Sequence, residues 1–173
     1  DSDLSYRAQL RGWRFVYLPH VECPSELPIE TYAFQVQQFR WSKGLTQCAL
    51  KLLPRILRSR EPWPRKLEAW LHLTPNIAYP LMVLITALML PVMIVRFYMG
   101  WLEMLLLDLP LILANFASVG LFYVAAHREL YPKDWKRAVA LVPFLFAAGV
   151  GLTINNTRAV LEAFLGVKTG FVR

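Results

Sequence analysis

The residues best suited to chemistry lie in one pentapeptide, Gln37-Gln38-Phe39-Arg40-Trp41. On a helix, positions i, i+3 and i+4 share a face. Gln37, Arg40 and Trp41 therefore project together, and Gly44, one turn on, leaves room beside them. An arginine fork fits a pyrophosphate. An indole face stacks on a sugar ring, with its area as the main driving force. A glutamine amide bonds a hydroxyl. An amphipathic helix that turns its aromatic residue to a core accounts for the same pattern, and the pentapeptide alone does not separate the two readings. A second constellation is Asp1-Ser2-Asp3-Leu4. A carboxylate at a helix start is favoured by the free amides and the helix dipole and stays ionised at neutral pH. It can act as a general base, typically worth about 10²–10⁴ in rate. Asp1, Ser2 and Asp3 are all good N-cap types too, so plain capping stands beside the catalytic reading.

These residues need elements to hold them. Residues 1–12 read as a short helix with Leu4, Ala8 and Leu10 on its apolar side and Gly12 as its stop. Trp13 to Pro19 reads as a buried strand, because Phe15, Val16, Tyr17 and Leu18 are β-formers bounded by Gly and Pro. Residues 20–29, with Pro24 and Pro28, form a loop. A second helix starts at Ile29-Glu30-Thr31 and runs to about Leu53, carrying the pentapeptide. Pro54, Pro62 and Pro64 break the chain over 54–65, and a short amphipathic piece, Leu67 to Leu73, follows.

The rest is apolar. Hydrophobic residues make up 56% of the 173 and charged residues 18%, against about 25% charged in a soluble domain. Mean hydropathy is +0.37. A disordered tail is excluded, since disorder needs low hydrophobicity and high charge, and an ordinary soluble enzyme is a poor fit. Asn76 to Val95 carries no charge over 20 residues, about 30 Å of helix and so the thickness of a bilayer. A second span reads from about Met104 to Ala126, with Asp108 near its outer end. Ala138 to Thr157 is a third charge-free stretch, flanked on both sides by bases: Lys136 and Arg137 before, Arg158 and Lys168 after. Cytoplasmic flanks on both sides predict a bent, re-entrant segment rather than a straight crossing.

Net charge is +7. Between Lys43 and Lys66 stand seven bases and one acid, Glu61. The cluster lies just ahead of the first apolar run, where the positive-inside rule puts a cytoplasmic juxtamembrane segment. No nucleic-acid motif accompanies it. Cys23 and Cys48 form no CxxC pair, and His20, His72 and His127 are scattered, so the sequence predicts no metal site of its own. The chain opens Asp1-Ser2-Asp3 with no leader pattern, and both ends read as the interior of a longer product.

Taken together, in this order and followed by membrane spans, the two constellations resemble the membrane-integrated glycosyltransferases of family 2, which include cellulose synthase and the cellulose synthase-like mannan and glucan synthases. Asp1-Ser2-Asp3-Leu4 resembles the tail of that family's Glu-Asp-x-Asp-Leu motif, and Gln37 to Trp41 is a full match to its QxxRW motif. Gly12 to Leu18 and Glu26-Leu27-Pro28 resemble the segment between the two. Phe171-Val172-Arg173 partly resembles the start of the family's Phe-x-Val-Thr-x-Lys gating loop.

The resemblance implies an inverting hexosyltransferase of polysaccharide biosynthesis. It would move a hexose from a UDP- or GDP-linked nucleotide sugar onto a growing β-linked polysaccharide, with export coupled to synthesis. A lipid glycosyltransferase of the same family remains an alternative, and a non-enzymatic membrane module a more distant one. Implied roles are Asp1 as general base, Arg40 on the donor diphosphate, Gln37 and Trp41 at the acceptor, and Phe171, Val172 and Arg173 at the start of the gating loop. The family's Mg2+ or Mn2+ is bound by an Asp-x-Asp motif that this sequence lacks, and Asp3 does not replace it. The 173 residues alone are therefore expected to transfer no sugar.

The expected fold is an α/β remnant of a catalytic domain (helix, strand, amphipathic interface helix) over 1–60, then a linker over 61–75. An all-α membrane region over 76–157 follows, with two full spans and the re-entrant segment. Residues 158–173 would form a cytoplasmic amphipathic helix and the start of the gating loop. The expected partners are the nucleotide sugar, a polysaccharide or lipid acceptor, and the bilayer of the plasma (inner) membrane, with the catalytic side cytoplasmic and no nucleic acid.

Overall fold

A computed structural model describes residues 2–18, 21, 23–26, 28–98 and 100–168, without the side chains of 101, 103, 104 and 107. Among the described residues seven α-helices follow one another: α1 (Ser2–Gln9), α2 (Thr31–Arg58), α3 (Trp63–Leu73), α4 (Ala78–Phe97), α5 (Trp101–Leu130), α6 (Trp135–Gly151) and α7 (Thr153–Phe164). A 3-10 turn at Pro75–Ile77 leads into α4. They fall into two compact units, one of residues up to 83 together with those from 152 on, the other of 84–151.

The first unit is built around α2, a helix of 28 residues, about 42 Å long. Helices α1, α3 and α7 all pack on it. Towards its C-terminal end Ala49, Leu52 and Ile56 meet Ala69 and Leu73 of α3 in an apolar cluster, with Tyr6 and Leu10 from the α1 segment against it. Leu52 is 0% exposed. This anchorage explains why α2 passes the expected stop near Leu53 and continues through Pro54 to Arg58. A proline removes one backbone donor, but Leu52 and Ile56 on either side are held by burial. The helix ends at Ser59, whose hydroxyl donates to the Ile56 carbonyl at 2.6 Å. Lys66 Nζ reaches back to the Leu57 carbonyl at 2.9 Å, a cation on the carbonyl end of a helix. Proline near the start of α3 sits where its missing N–H would have no partner anyway.

Helix α1 is shorter than expected. It closes with Trp13 N–H donating to Ala8 O at 3.2 Å and Gly12 N–H to Gln9 O at 2.9 Å, with Gly12 at φ +86°. These paired bonds around a left-handed glycine make a Schellman cap. Helix α7 ends the same way: Val167 donates to Glu162 O, Gly166 to Ala163 O, and Gly166 has φ +69°.

The expected strand is absent. Residues 13–18 are irregular, and no strand occurs among the described residues, so the α/β character read from the sequence gives way to an all-helical chain. β-formers make a strand only beside an edge to pair with. Here Val16 and Tyr17 are exposed, Tyr17 to 87%.

From residue 84 on, most of the described apolar side chains of α4 and α5 are exposed, as expected of helices that meet lipid. Two segments, Pro75–Phe97 and Asp108–Leu130, are long and apolar enough to cross a membrane. Arg96 pairs with Asp108, a charge pair at the ends of the two apolar stretches. α5 and α6 pack through Phe116 and Phe146, whose ring centroids lie 4.5 Å apart. The third charge-free stretch is divided at Leu152. Its first part ends α6, which at 17 residues is about 26 Å long and short of a bilayer core. Its last residues open α7, which packs on α2. A third crossing arises only if α6 and α7 are counted as one broken span.

Candidate functional site

Gln37, Arg40 and Trp41 lie in the N-terminal half of α2. Arg40 and Trp41 are exposed, Trp41 to 59%, and Gln37 is half-buried. The indole therefore turns away from the core of its own unit. The side-chain oxygen of Gln37 is buried and accepts no hydrogen bond. Asp1, Phe171, Val172 and Arg173 lie outside the described residues.

Immediately after Trp41 the helix changes character. Ser42, Lys43 and Thr46 are buried against Thr153, Asn156, Thr157, Ala159, Val160 and Ala163 of α7. The mostly small side chains let the two helices approach closely. Polar contacts then tie them. Asn155 Nδ2 donates to the Gln35 carbonyl at 3.0 Å. Asn76 Nδ2 donates to the Ser42 carbonyl at 3.1 Å, which Thr46 Oγ1 also reaches at 2.8 Å. Lys43 Nζ donates to Glu162 Oε2 at 2.8 Å. Arg158 Nε donates to the other oxygen, Oε1, at 2.9 Å. Both cations stand near the Phe39 ring, Lys43 at 5.8 Å and Arg158 at 5.9 Å from its centroid. The hydrogen bond from Lys43 above all, with Arg158 helping, holds the Glu162 carboxyl below its ordinary range.

Neither Glu162 nor Asn155 stands out in the sequence. Each meets α2 across more than a hundred residues, and no short-range pattern records such a meeting. The one signal was a lysine at position 43, just after an exposed face, on the side of the helix that must be covered.

Asp3 lies at the start of α1 and pairs with Arg7 at 2.8 Å and with Lys51 of α2 at 3.0 Å. The Lys51 hydrogen bond is the main reason its carboxyl lies below the usual value. Asp3 thus joins two helices. Tyr6 Oη meets His72 Nδ1 at 2.8 Å and joins α1 to α3. A cleft of about 600 Å³ opens beside them, lined by Tyr6, Trp13, Arg14, Glu61 and Arg65 among others, and not by Gln37, Arg40 or Trp41. No group of three or more His, Cys, Asp or Glu among the described residues could hold a metal ion.

Comparison with known proteins bears on this arrangement. Over 61 residues the chain is 48% identical to glucomannan 4-beta-mannosyltransferase 1 of Oryza sativa subsp. japonica, a stretch that covers 35% of this chain and 12% of that relative. It is 44% identical over 61 residues to glucomannan 4-beta-mannosyltransferase 2 of Arabidopsis thaliana, covering 35% and 11%. A third relative, probable glucomannan 4-beta-mannosyltransferase 11 of Oryza sativa subsp. japonica, is 40% identical over 72 residues, covering 40% and 12%. The resemblance read from the motifs thus meets relatives named as glycosyltransferases, over a partial region, and the match spans about an eighth or less of their length. No family model and no solved structure matches the chain.

Proposed function

We propose that the chain is part of an inverting, membrane-integrated hexosyltransferase that extends a β-linked polysaccharide from a nucleotide sugar. The observation that carries this reading is the outward face of α2, where an exposed Trp41 and Arg40 stand beside half-buried Gln37. The relatives named glucomannan mannosyltransferases support it.

The acceptor sugar stacks on the Trp41 indole, whose apolar face matches the C–H face of a pyranose. Gln37, one turn before Trp41 on the same helix face, swings its amide outward to bond an acceptor hydroxyl. Asp1 takes the proton of the attacking hydroxyl. The oxygen so freed forms a bond to the anomeric carbon of the donor as the bond to the diphosphate breaks, with inversion. The Arg40 guanidinium meets the charge that develops on the leaving nucleoside diphosphate. Any Mg2+ or Mn2+ belongs to residues outside this sequence. Two segments, Pro75–Phe97 and Asp108–Leu130, serve as membrane spans in the plasma (inner) membrane, with the catalytic side cytoplasmic.

The test is the complete protein in membrane vesicles, supplied with GDP- and UDP-linked hexoses. Trp41→Ala and Arg40→Ala should each lower transfer by about a hundred-fold or more while insertion is unchanged. Full activity in Trp41→Ala vesicles would sink the acceptor role. The purified 173-residue chain should transfer nothing, and detectable transfer by it would overturn the view that the donor site lies elsewhere.

A further inference from the structure

The face of α2 opposite Trp41 suggests how that residue is aimed. On a helix residues i and i+2 are about 200° apart around the axis, so fixing Lys43 inwards points Trp41 outwards on nearly the opposite side. Lys43 is firmly fixed. Its side chain is only 8% exposed and that of Glu162 13%. A buried ammonium is tolerated only when paired and hydrogen-bonded. The apolar contacts around it are a poor rotational key, since Ala159, Val160 and Ala163 of α7 are small. A directional contact is needed to select one rotation of α2 on α7, and Glu162 supplies it to Lys43 while Arg158 holds the second carboxylate oxygen. Phe39, whose ring lies near both cations, is inside the QxxRW pentapeptide itself.

We propose that Lys43, Arg158 and Glu162 form a positioning clamp that sets the rotation of α2 on α7 and thereby the aim of Trp41 at its acceptor. The proposal rests on the reading of Trp41 as an acceptor platform. The clamp residues touch no substrate and act through α2. Buried charge here specifies an arrangement rather than adding stability, as a buried polar residue fixes register in a coiled coil.

The test uses the complete membrane protein with every native cysteine replaced, Cys23 by Ser and Cys48 by Ala among them. Single cysteines are placed at Trp41, on the outward face, and at Thr46, on the buried face. Thiol labelling is timed in the parent, in Glu162→Gln, in Lys43→Met and in the reversed pair Lys43→Glu with Glu162→Lys. In the single clamp variants, labelling at 41 should slow and labelling at 46 should quicken, each by about five-fold or more. These opposite changes mark rotation. The reversed pair should bring both rates back towards the parent. Unchanged rates, or a rise at both positions, would overturn the clamp, because a rise at both reports loosening without rotation.

A kinetic arm, with Trp41 in place, reads the consequence. Glu162→Gln should lower kcat by about ten-fold with the donor KM nearly unchanged, and the reversed pair should restore kcat. A full kcat in Glu162→Gln would overturn the effect on Trp41's aim. If the parent protein transfers no sugar, the proposed function fails instead, and the labelling pattern alone decides the clamp.

Discussion

Asn155 Nδ2 donates to the backbone carbonyl of Gln35, 120 residues earlier and two residues ahead of Gln37. The contact fastens the N-terminal part of α2 to α7 upstream of the candidate site. Asn155→Ala should remove about 1 kcal/mol of local stability. Amide hydrogen exchange over residues 35–41 should then quicken by about five-fold, with residues 49–56 unaffected. Equal quickening in both regions would mean that Asn155 supports the whole unit.

Gly166 closes α7 at φ +69°. A side chain in that conformation costs about 1–2 kcal/mol. Gly166→Ala should therefore fray the last turn, which hydrogen exchange at Leu165 to Val167 would report, and Gly166→Asn should be milder because Asn tolerates the left-handed region. An alanine variant as protected as the parent would show that the Schellman bonds do not hold this end.

Asp3 gives a pH dependence with a definite sign. Its carboxyl titrates below the ordinary 3.8, chiefly through the Lys51 hydrogen bond. The pairing of α1 with α2 should be at full strength above pH 3.8 and weaken as pH falls through the lower folded-state value. Asp3→Asn should abolish that acid-side change. It would be read as exchange protection of α1 between neutral and acidic pH. An identical acid profile in the variant would place the cause elsewhere.

The path of the third apolar stretch is open to a direct test. In the proposed topology Arg158 lies on the same side as α2. A cysteine at 158, in the complete protein with every native cysteine replaced, should be labelled by an impermeant thiol reagent from the cytoplasmic face. Labelling from the opposite face would defeat the re-entrant reading and make α6 with α7 a full crossing.

Much of this was legible in local pattern. The QxxRW pentapeptide named its own face through helical spacing, and Gly12 announced its Schellman cap. Two long apolar stretches announced α4 and α5. What failed was judged locally but decided elsewhere. Phe15 to Leu18 carries strand-forming residues, yet a strand also needs an edge to pair with, and the described residues provide none. Pro54 looked like a stop, yet burial of Leu52 and Ile56 carries the helix through it. The expected roles of Asp1 and of Phe171 to Arg173 fall outside the described residues. Glu162 was illegible in principle, because a single acid on a polar helix face does not declare which distant lysine it will meet.

The separation of Lys43 from Glu162 has a meaning for biosynthesis. The two are 119 residues apart, and a ribosome adds about 5–20 residues per second. Lys43 is therefore made about 6–24 s before its carboxylate exists. During that interval α4, α5 and α6 emerge in order, and α2 carries an ammonium whose carboxylate partner has not yet been made. Lys43 cannot close on Glu162 until everything between them has been made, so that ion pair records the completed synthesis of α4, α5 and α6.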